Sequence, residues 1–573
     1  MICSAIRPTL TQASLALAAI MVAAAPVDTT AQSQGPARPR LVLQITVDQL
    51  RGDLPLRYAE RFGEGGFRYL LDEGTWFYDA HHAHANTETI VGHTTLATGA
   101  HPSAHGMVGN LWFDRELGRT IYNIEDPKYR LLTEGAGVDA QTEIDPTQRA
   151  ARSDGRSPSA IMVSTLSDEL AIGTAGRARI FGVSVKDRGA VSMAGHAGKA
   201  FWFSKQSGTF VTSTYYYDAY PEWVVDWNGQ GKAFEYGDTE WALSADASTY
   251  MFGDWDDREG EVDLAGFGST FPHPYGSADG PYFTTLLTLS PAGDALTLDF
   301  AKTLIDAEDL GGDDVTDYLS VSFSSTDYVG HLFGPSSLES EENILQLDRV
   351  LAELLAHVDA KVGLDQTLIV LSADHGGAEM PSYLNELGVP AAYVDPDSWD
   401  QGDGFRALEA HFGVGEGLIE GYDHPYVYLD HDVIAARALD QAEVEDAVAE
   451  ELTRLEGVAL AVSSSALREG RTPDLPLMQS ILYNFNPSRS GDVFVVFEPG
   501  HFINDFDGLT VATTHGSPWR YDTFVPVVFA GWDIPGGGVE RRIRTVDVAP
   551  TLARLLSLKP PSGAAGVPLV EVT

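Results

Sequence analysis

The chain has 573 residues, of which 44% are hydrophobic and 21% charged, a composition typical of a folded globular protein and not of a disordered one. Its 82 acidic and 37 basic side chains give a formal charge of −45, which excludes a nucleic-acid-binding surface because such surfaces need a basic patch. A phosphate substrate is not excluded, since salt screens repulsion beyond about 8 Å and a bound cation reverses the local sign.

A run of apolar residues near the N-terminus predicts an export signal. Arg7 precedes the run ASLALAAIMVAAA, and the small residues that follow suit cleavage. Residues 1–31 are therefore predicted to be a signal peptide, and residues 32–573 a secreted or periplasmic mature chain. An uncleaved anchor is the alternative, although the run is shorter than the ~20 apolar residues of a membrane span, and no later stretch reaches that length. The single cysteine, Cys3, precedes the run, so the mature chain is predicted to lack thiols.

Apolar strands and amphipathic helices alternate along the mature chain. This order predicts an α/β fold with a mostly parallel central sheet flanked by helices and joined by right-handed crossovers. In such sheets ligands bind beyond the carboxyl ends of the strands, which is where Asp48, Asp327 and Asp374 fall. The predicted strands lie in LVLQITVDQL, GRARIFGVSV, TDYLSVSFSSTD, QTLIVLSADHG, DVFVVF and FVPVVFAG, and the predicted helices in LPLRYAERFGEGGFRYLLDEG, SSLESEENILQLDRVLAELLAHVDAKVG and TVDVAPTLARLLSL.

The longest of these helices has the clearest boundaries. Ser336 and Glu339 have the spacing of a capping box, apolar residues recur at helical intervals, and Gly363 can end the helix.

Two segments interrupt the alternation. Residues 200–300 carry five of the ten tryptophans and hairpin-like runs such as GTFVTSTYYYD, and residues 380–510 return to short mixed elements. Both are interpreted as insertions that cover the active edge of the sheet. For the tryptophans, additional ordinary core is the alternative.

Two carboxylate and imidazole pairs stand where predicted strands end, Asp327 with His331 and Asp374 with His375. Neighbouring glycines allow close turns at both pairs, although one such pair alone is most often two solvated loop residues. Imidazole combined with carboxylate favours zinc over magnesium or calcium. His515, which precedes a further predicted strand, is the candidate for a third histidine ligand.

A denser group of histidines, His81, His82 and His84, lies in DAHHAHA. An extended strand sends these side chains to alternating faces, so they are interpreted as structural and not as metal ligands.

Thr89 in NTETIVGHTTLATGA is the candidate nucleophile. A polar residue before IVGHTTLATGA indicates a helix start, where a hydroxyl faces unpaired backbone amides and the positive end of the helix dipole. Coordination to zinc can activate such a hydroxyl. The alternative is that Thr89 only caps the helix, the usual role of a threonine at that position.

Ten motifs in order along the mature chain resemble the alkaline phosphatase superfamily, and most closely the PafA-type alkaline phosphatases that use a threonine nucleophile. The fold and function of that family are therefore expected here. The motifs are VDQLR, NTETIVGH, HGMVGN, GVSVKDRGAVSMAGH, FPHPYG, SPAGDALTLDFAK, SSTDYVGH, LSADHGG, TTHGSPW and RTVDVAPTLARLL.

The resemblance implies two zinc ions and a covalent mechanism. It implies a phosphothreonine intermediate on Thr89 and phosphate oxygens held by Asn110, Lys186 and Arg188. The second positive charge of the Lys186 and Arg188 pair suits a monoester dianion, so small phosphate monoesters are the expected substrates. One zinc would be held by Asp327, His331 and His515, and the other by Asp48, Asp374 and His375.

Other functions remain as alternatives. A phosphodiesterase or nucleotide pyrophosphatase of the same superfamily would share the metals and Thr89 but lack the lysine and arginine contacts. A sulfatase is disfavoured, because its nucleophile derives from a cysteine in C-x-P-x-R. A non-catalytic protein that binds metal or phosphate is a further class, which replacement of Thr89 by alanine would distinguish.

Overall fold

A computed structural model describes residues 38–573 apart from residues 416 and 507, so the predicted signal peptide lies outside the described residues. Within them, ten strands form one central sheet. In spatial order its strands are Gly537–Val539, Thr75–His81, Phe524–Gly531, Thr367–Ser372, Leu41–Val47, Asp317–Phe323, Ile180–Ser184, Lys199–Ser204 and Thr209–Val211, with Ile543–Arg544 also paired to Thr75–His81.

Most neighbouring strands of this sheet are parallel, which confirms the predicted fold class. The strands Leu41–Val47, Asp317–Phe323 and Thr367–Ser372 are parallel to one another. Phe524–Gly531 is antiparallel to both of its neighbours. Its first residue therefore lies at the edge where the parallel strands end.

The register of the central strands brings their carboxyl ends together. Val47 pairs with Phe323, and Thr46 pairs with Ser372. One strand further along, Ser184 pairs with Ser322. The residues that follow these strands therefore begin at one edge of the sheet, and they include Asp48, Lys186, Arg188, Asp327, Asp374 and His375.

Helices cover both faces of the sheet because its buried strands are apolar on both sides. Leu43 and Ile45 belong to a core shared with helices Pro291–Ala307 and Leu338–Lys361. Val42, next to Leu43, belongs to a second core on the opposite face with helix Val548–Leu555. Alternate residues of one strand thus serve two cores.

The predicted capping box of the long helix, Leu338–Lys361, does not form. Ser337 caps the helix by accepting a hydrogen bond from Ser340 N at 3.0 Å, whereas the Ser336 hydroxyl donates to Glu379. Glu339 faces His273 and does not turn back to the cap. Gly363 follows the helix with φ +94°, consistent with a helix stop.

The predicted helix in LPLRYAERFGEGGFRYLLDEG is divided into Leu54–Arg57 and Phe67–Glu73. Gly65 between them has φ +90°, a conformation that no continuous helix contains.

A smaller antiparallel sheet lies within residues 380–510. The run DVFVVF forms its strand Val493–Phe497, so this run does not belong to the central sheet. One face of the smaller sheet packs against helix Gln441–Leu452. The other strands of this sheet are Ile419–Asp423, Tyr426–Leu429 and Val458–Ser463.

The first segment begins inside the central sheet and continues as a partly helical excursion. Lys199–Ser204 and Thr209–Val211 are sheet strands, and helix Glu222–Gln230 follows. Trp202, Trp227 and Trp241 are buried, whereas Trp255 is exposed. Three of the five tryptophans in this segment therefore contribute to the core.

The remaining helices of eight or more residues include several that frame the site. These helices are Thr89–Thr98, Leu166–Gly173, Asp187–Ala194, Ser325–Phe333, Asp403–Phe412 and Pro476–Asn484.

Throughout the described part of the chain, no helix is both long and apolar enough to cross a membrane.

Candidate active site

Thr89 is the first residue of helix Thr89–Thr98, called the Thr89 helix below. Glu88 occupies the cap position, so the alternative that Thr89 is only the helix cap is wrong. The Thr89 side chain is fully buried, and its Oγ1 accepts a hydrogen bond from Arg188 Nη2 at 3.3 Å. The hydroxyl thus faces a guanidinium at the positive end of a helix.

Gly92 lets the Thr89 helix approach the strand end that carries Asp374. A Cβ atom at this position would lie 1.9 Å from the Asp374 backbone oxygen, so only glycine fits. One residue on, His93 Nδ1 lies 3.0 Å from Asp374 Oδ2, and His93 Nε2 contacts Ser322 Oγ at 2.8 Å. The helix is therefore tied to two strand ends.

The first predicted ligand set converges on Asp327. His331 lies one turn further along helix Ser325–Phe333, and its Nε2 is 3.3 Å from Asp327 Oδ1. His515 Nε2 reaches the same oxygen at 3.4 Å from a segment almost two hundred residues away. These three side chains form one of the compact ligand groups in the described residues.

The second set is close to the first. His375 Nε2 lies 3.4 Å from Asp48 Oδ1 and 3.5 Å from Asp374 Oδ2. The compact group on this side comprises Asp48, Asp327 and His375, whereas Asp374 lies beside His375 and His93. Asp327 therefore lies between the two sets, and the six predicted ligands form one cluster of side chains.

Each of the three histidines is oriented by a backbone carbonyl on its other nitrogen. Nδ1 of His331 contacts Thr513 O, that of His375 contacts Gly376 O, and that of His515 contacts Thr87 O, each at 2.9 Å. A carbonyl only accepts, so each Nδ1 carries the proton and each Nε2 presents a lone pair toward the carboxylates.

The charges of the site are strongly coupled. Burial, together with the charges of Asp327 and Asp374, raises the pKa of Asp48 well above its ordinary value. Against the effect of burial, His331 and Lys186 hold the pKa of Asp327 well below its ordinary value. Burial also holds the pKa of His375 well below its ordinary value. Three carboxylates in one dry site require nearby positive charge.

Gln49 is a site residue that the sequence interpretation did not assign. Its φ of 64° is unusual for a residue other than glycine. This conformation lets its backbone N–H donate to Asp374 Oδ1 at 3.2 Å and its side-chain amide donate to Asp327 Oδ1 at 2.9 Å. Gln49 therefore holds both ligand sets at once. In the sequence, its position directly after Asp48 within VDQLR indicated that Gln49 lies near the site.

Lys186 and Arg188 both enter the site from the end of strand Ile180–Ser184, and both are almost fully buried. Lys186 Nζ lies 2.8 Å from Asp48 Oδ2 and also pairs with Asp327. The ammonium is thus held among the carboxylates, where it supplies part of the positive charge that they require.

Arg188 is positioned by Asp145, which the sequence interpretation missed. Arg188 Nη1 donates to Asp145 Oδ2 at 2.6 Å, and Tyr122 OH lies 3.5 Å from the same nitrogen. Asp145 lies in a segment without a recognised motif, so only the folded structure links it to Arg188.

Asn110 also faces the site. Its Oδ1 accepts a hydrogen bond from the Ile90 backbone N–H at 3.1 Å. Its own backbone N–H donates to buried Glu88 at 2.7 Å. All ten predicted site residues are therefore brought together.

The histidines of DAHHAHA stand apart from the ligand groups. His81 ends strand Thr75–His81, and His82 bonds Ala373 O and Thr545 Oγ1. None of the three belongs to a compact ligand group in the described residues, as expected.

A cleft opens in front of the first ligand set, Asp327, His331 and His515. Its lining includes polar Asn110, Arg188 and His515, and an apolar wall formed by Leu264, Leu289, Phe502, Ile503 and Phe506. The wall comes from both segments that interrupt the strand and helix alternation.

The donor set fits a pair of zinc ions. Two ligands about 2.0–2.1 Å from a tetrahedral zinc ion are about 3.3–3.4 Å apart, which matches the separations around Asp327 and Asp48. Among the described residues, buried Asp48 Oδ1 and His375 Nε2 have no hydrogen-bond partner, although they face each other. A shared ion accounts for the approach of two atoms that form no hydrogen bond with each other.

Comparison with known proteins agrees with this geometry. The sequence profile of the type I phosphodiesterase / nucleotide pyrophosphatase family matches residues 42–518. Alkaline phosphatase PafA of Elizabethkingia meningoseptica is 34% identical over 93% of this chain and 94% of its own length. Alkaline phosphatase PhoV of Synechococcus elongatus is 32% identical over 94% of this chain and 93% of its own length.

Solved structures show the same relationship. The crystal structure of wild-type PafA superposes with a TM-score of 0.84 at 33% identity and covers 94% of this chain and 100% of that one. Murine ectonucleotide pyrophosphatase/phosphodiesterase 5 shares the fold alone, with a TM-score of 0.50 at 14% identity over 91% of this chain and 95% of that one.

The chain therefore belongs to the type I phosphodiesterase / nucleotide pyrophosphatase family, within the alkaline phosphatase superfamily. It is a PafA-like enzyme, a hydrolase of the alkaline phosphatase type, which confirms the resemblance drawn from the motifs.

Proposed function

We propose that this enzyme is an exported, zinc-dependent alkaline phosphatase that hydrolyses small phosphate monoesters through a phosphothreonine intermediate on Thr89. The observation that carries the proposal is that buried Arg188 contacts the Thr89 hydroxyl while buried Lys186 pairs with Asp48 and Asp327 of the two ligand sets. Removal of the lysine and arginine tests it.

The two ligand sets are suited to zinc. Asp327, His331 and His515 would hold one ion and Asp48, Asp374 and His375 the other. When bound, the ions would supply Lewis acidity, lowering the pKa of the Thr89 hydroxyl and of a water molecule. The fixed orientation of all three imidazoles supports this assignment, because their Nε2 lone pairs already face the carboxylates.

The covalent step belongs to Thr89. Its Oγ1 would attack phosphorus in line with the leaving group, so that the new bond to phosphorus forms as the ester bond breaks. Water would then displace Thr89 from the phosphothreonine and release inorganic phosphate. Arg188, 3.3 Å from this oxygen, and Asn110 would hold the non-bridging oxygens through both displacements.

Charge favours a monoester over a diester. A monoester dianion has three free oxygens, and a diester monoanion has two, so two buried cations in the same site stabilise the monoester more. Lys186 and Arg188 are the two cations, and their burial strengthens the interaction.

The decisive experiment compares an aryl phosphate monoester with the matching aryl methyl diester. The double substitution Lys186→Ala with Arg188→Ala should lower kcat/KM for the monoester by about 10³-fold or more and change the diester rate much less. Equal losses on both substrates would remove the monoester assignment. A wild type that prefers the diester would favour the phosphodiesterase alternative, which the name of the matched family also supports.

The covalent mechanism has its own matched pair of variants. Thr89→Ala should lower turnover by about 10⁴-fold, whereas Thr89→Ser, which keeps a hydroxyl, should retain measurable turnover. Acid-quenched Thr89→Ser should carry phosphate on residue 89 by mass spectrometry. Full turnover by Thr89→Ala would exclude a phosphothreonine.

Export can be tested on the mature protein. The Arg7 and apolar-run pattern supports cleavage, so N-terminal sequencing of active enzyme from the periplasm or medium should begin near residue 32. Active enzyme confined to the cytoplasm with residue 1 intact would oppose this part of the proposal.

A further inference from the structure

A second group of buried acidic and imidazole side chains lies behind the catalytic centre. Glu339 is in the first turn of the long helix, and His273 is in the short strand His273–Pro274 of the first segment. Both side chains are fully buried. His273 lies within FPHPYG, a motif that the catalytic site does not use.

Glu339 differs from the two buried glutamates beside it. Glu341 accepts hydrogen bonds from the backbone nitrogens of Met251 and Phe252, and Glu342 accepts from Ser244 and Tyr250. Within the described residues, neither carboxylate oxygen of Glu339 accepts a hydrogen bond from a backbone or hydroxyl group, and the group beside it is another carboxyl, Asp256. Burial, with Asp256 beside it, raises the pKa of Glu339 to about 8, so this carboxyl group keeps a proton unless a cation binds to it.

His273 is aimed at Glu339 in the same way that the catalytic histidines face their carboxylates. Its Nδ1 contacts Phe267 O at 3.1 Å, so that nitrogen carries the proton and Nε2 presents a lone pair. Nε2 lies 3.4 Å from Glu339 Oε1 and has no hydrogen-bond partner in the described part of the chain. This distance equals the ligand separation around a zinc ion.

Further carboxylates lie close by. Glu261 Oε1 is buried and also lacks a hydrogen-bond partner among the described residues. Burial and neighbouring carboxylates, including Glu339 and Asp256, raise the pKa of Glu261 to about 8. Across the described chain, no lysine or arginine forms a salt bridge with Glu339, Glu261 or Asp256. Arg258 lies near enough to lower the pKa of Glu261 against the effect of burial, but it forms no salt bridge with these carboxylates, so their charge is only partly balanced.

The surroundings of His273 are dry and aromatic. Ring centroids of Phe267, Phe271, Trp241 and Phe333 lie 4.6–5.3 Å from the imidazole. Such a shell excludes water and strengthens the binding of a cation by any ligands that it encloses.

We propose that Glu339 and His273, with Glu261 and Asp256 beside them, bind a third metal ion of the zinc class that has a structural role. One imidazole with carboxylates favours zinc or a similar transition metal over calcium, which prefers an all-oxygen shell. The ion joins the first segment to the long helix.

This ion also supports the catalytic helix Ser325–Phe333. Val262 N donates to Leu332 O at 3.0 Å, and Phe333 packs on His273, so the same segment touches the end of the helix that carries Asp327 and His331. Loss of the ion is therefore expected to loosen that helix end.

Metal content of the intact enzyme tests the proposal. Purified without chelators, the wild type should contain one equivalent more zinc than Glu339→Gln and His273→Gln. Glu341→Gln is the matched control, because this buried glutamate already has protein partners and its loss should leave the metal content unchanged. Equal metal content in wild type and both variants overturns the proposal and means that Glu339 keeps a proton.

Crystals of the wild type provide a measurement that does not depend on variant folding. Anomalous scattering at the zinc edge should give a peak between Glu339 and His273, separate from those beside Asp327. An absent peak overturns the third site even if the catalytic peaks are present. Conversely, a peak at His273 with none at Asp327 would refute the proposed catalytic metals and leave this site standing.

Discussion

Gly92 marks the closest approach between the Thr89 helix and the Asp374 segment, and alanine at this position should separate them. The added Cβ would lie 1.9 Å from Asp374 O, whereas real Cβ contacts are essentially never shorter than 3.0 Å. The helix and the strand end must therefore move apart by about 1 Å. Displacement of a reacting group by this amount costs about 10²-fold in rate.

The assay is kcat/KM on an aryl phosphate monoester, with the free energy of unfolding measured in urea. Gly92→Ala should lower kcat/KM by about 100-fold and the free energy of unfolding by about 1–3 kcal/mol. Gly229→Ala is the control, because Gly229 is also helical but has open space around its Cβ position. It should leave kcat/KM unchanged and stabilise the fold by about 0.5–1 kcal/mol.

Two outcomes would refute this reasoning. If Gly92→Ala keeps kcat/KM within about threefold of the wild type, the spacing between Thr89 and Asp374 does not limit the chemistry. If both glycine variants lose activity equally, the loss reflects helix substitution in general and not the contact with Asp374.

Three further predictions concern charge. Asp145→Asn should loosen Arg188 and lower monoester kcat/KM roughly 10-fold while sparing the diester rate; equal losses would contradict this role. Burial raises the pKa of Asp294 to about 7, so the folded protein keeps a proton that the unfolded chain loses near pH 3.8. The free energy of unfolding should thus decline as the pH rises between these two values. In urea titrations, Asp294→Asn should remove roughly 1.4 kcal/mol per pH unit of that decline. An unchanged dependence on pH in this variant would refute the prediction. Chelation should reduce turnover to below about 1% and lower Tm, because the carboxylates lose their counter-charge. Added zinc should restore both. Activity that survives complete metal removal would contradict the metal assignment.

The sequence could predict the strand ends of the fold because parallel strands are apolar on both faces and stop at recognisable polar residues. Asp48, Asp327 and Asp374 follow three such strands in matched register. The direction of FVPVVFAG was not predictable, since an antiparallel strand inside a buried sheet has the same apolar composition as its parallel neighbours. For the same reason, the composition of DVFVVF predicts a strand but not the sheet to which it belongs, which is the smaller one.

The site was predictable only where residue type and motif coincide. Asp145 is joined to Arg188 by tertiary folding, and no local pattern marks that contact. Ser336 has the spacing of a cap, but Ser337 takes the role because Glu339 is directed into the protein toward His273. A local rule was overridden here by burial of a side chain.

The reversed strand Phe524–Gly531 makes the connections at its two ends unequal. Its first residue adjoins the catalytic edge and follows the His515 segment, while its last residue pairs with Leu368 near the opposite edge. The turn between Gly531 and Gly537 is therefore remote from the chemistry. Extra residues or a fused tag inserted there would lie at the edge of the sheet opposite the active site. A single residue added between His515 and Phe524 would instead shift one imidazole and leave the other five ligands in position.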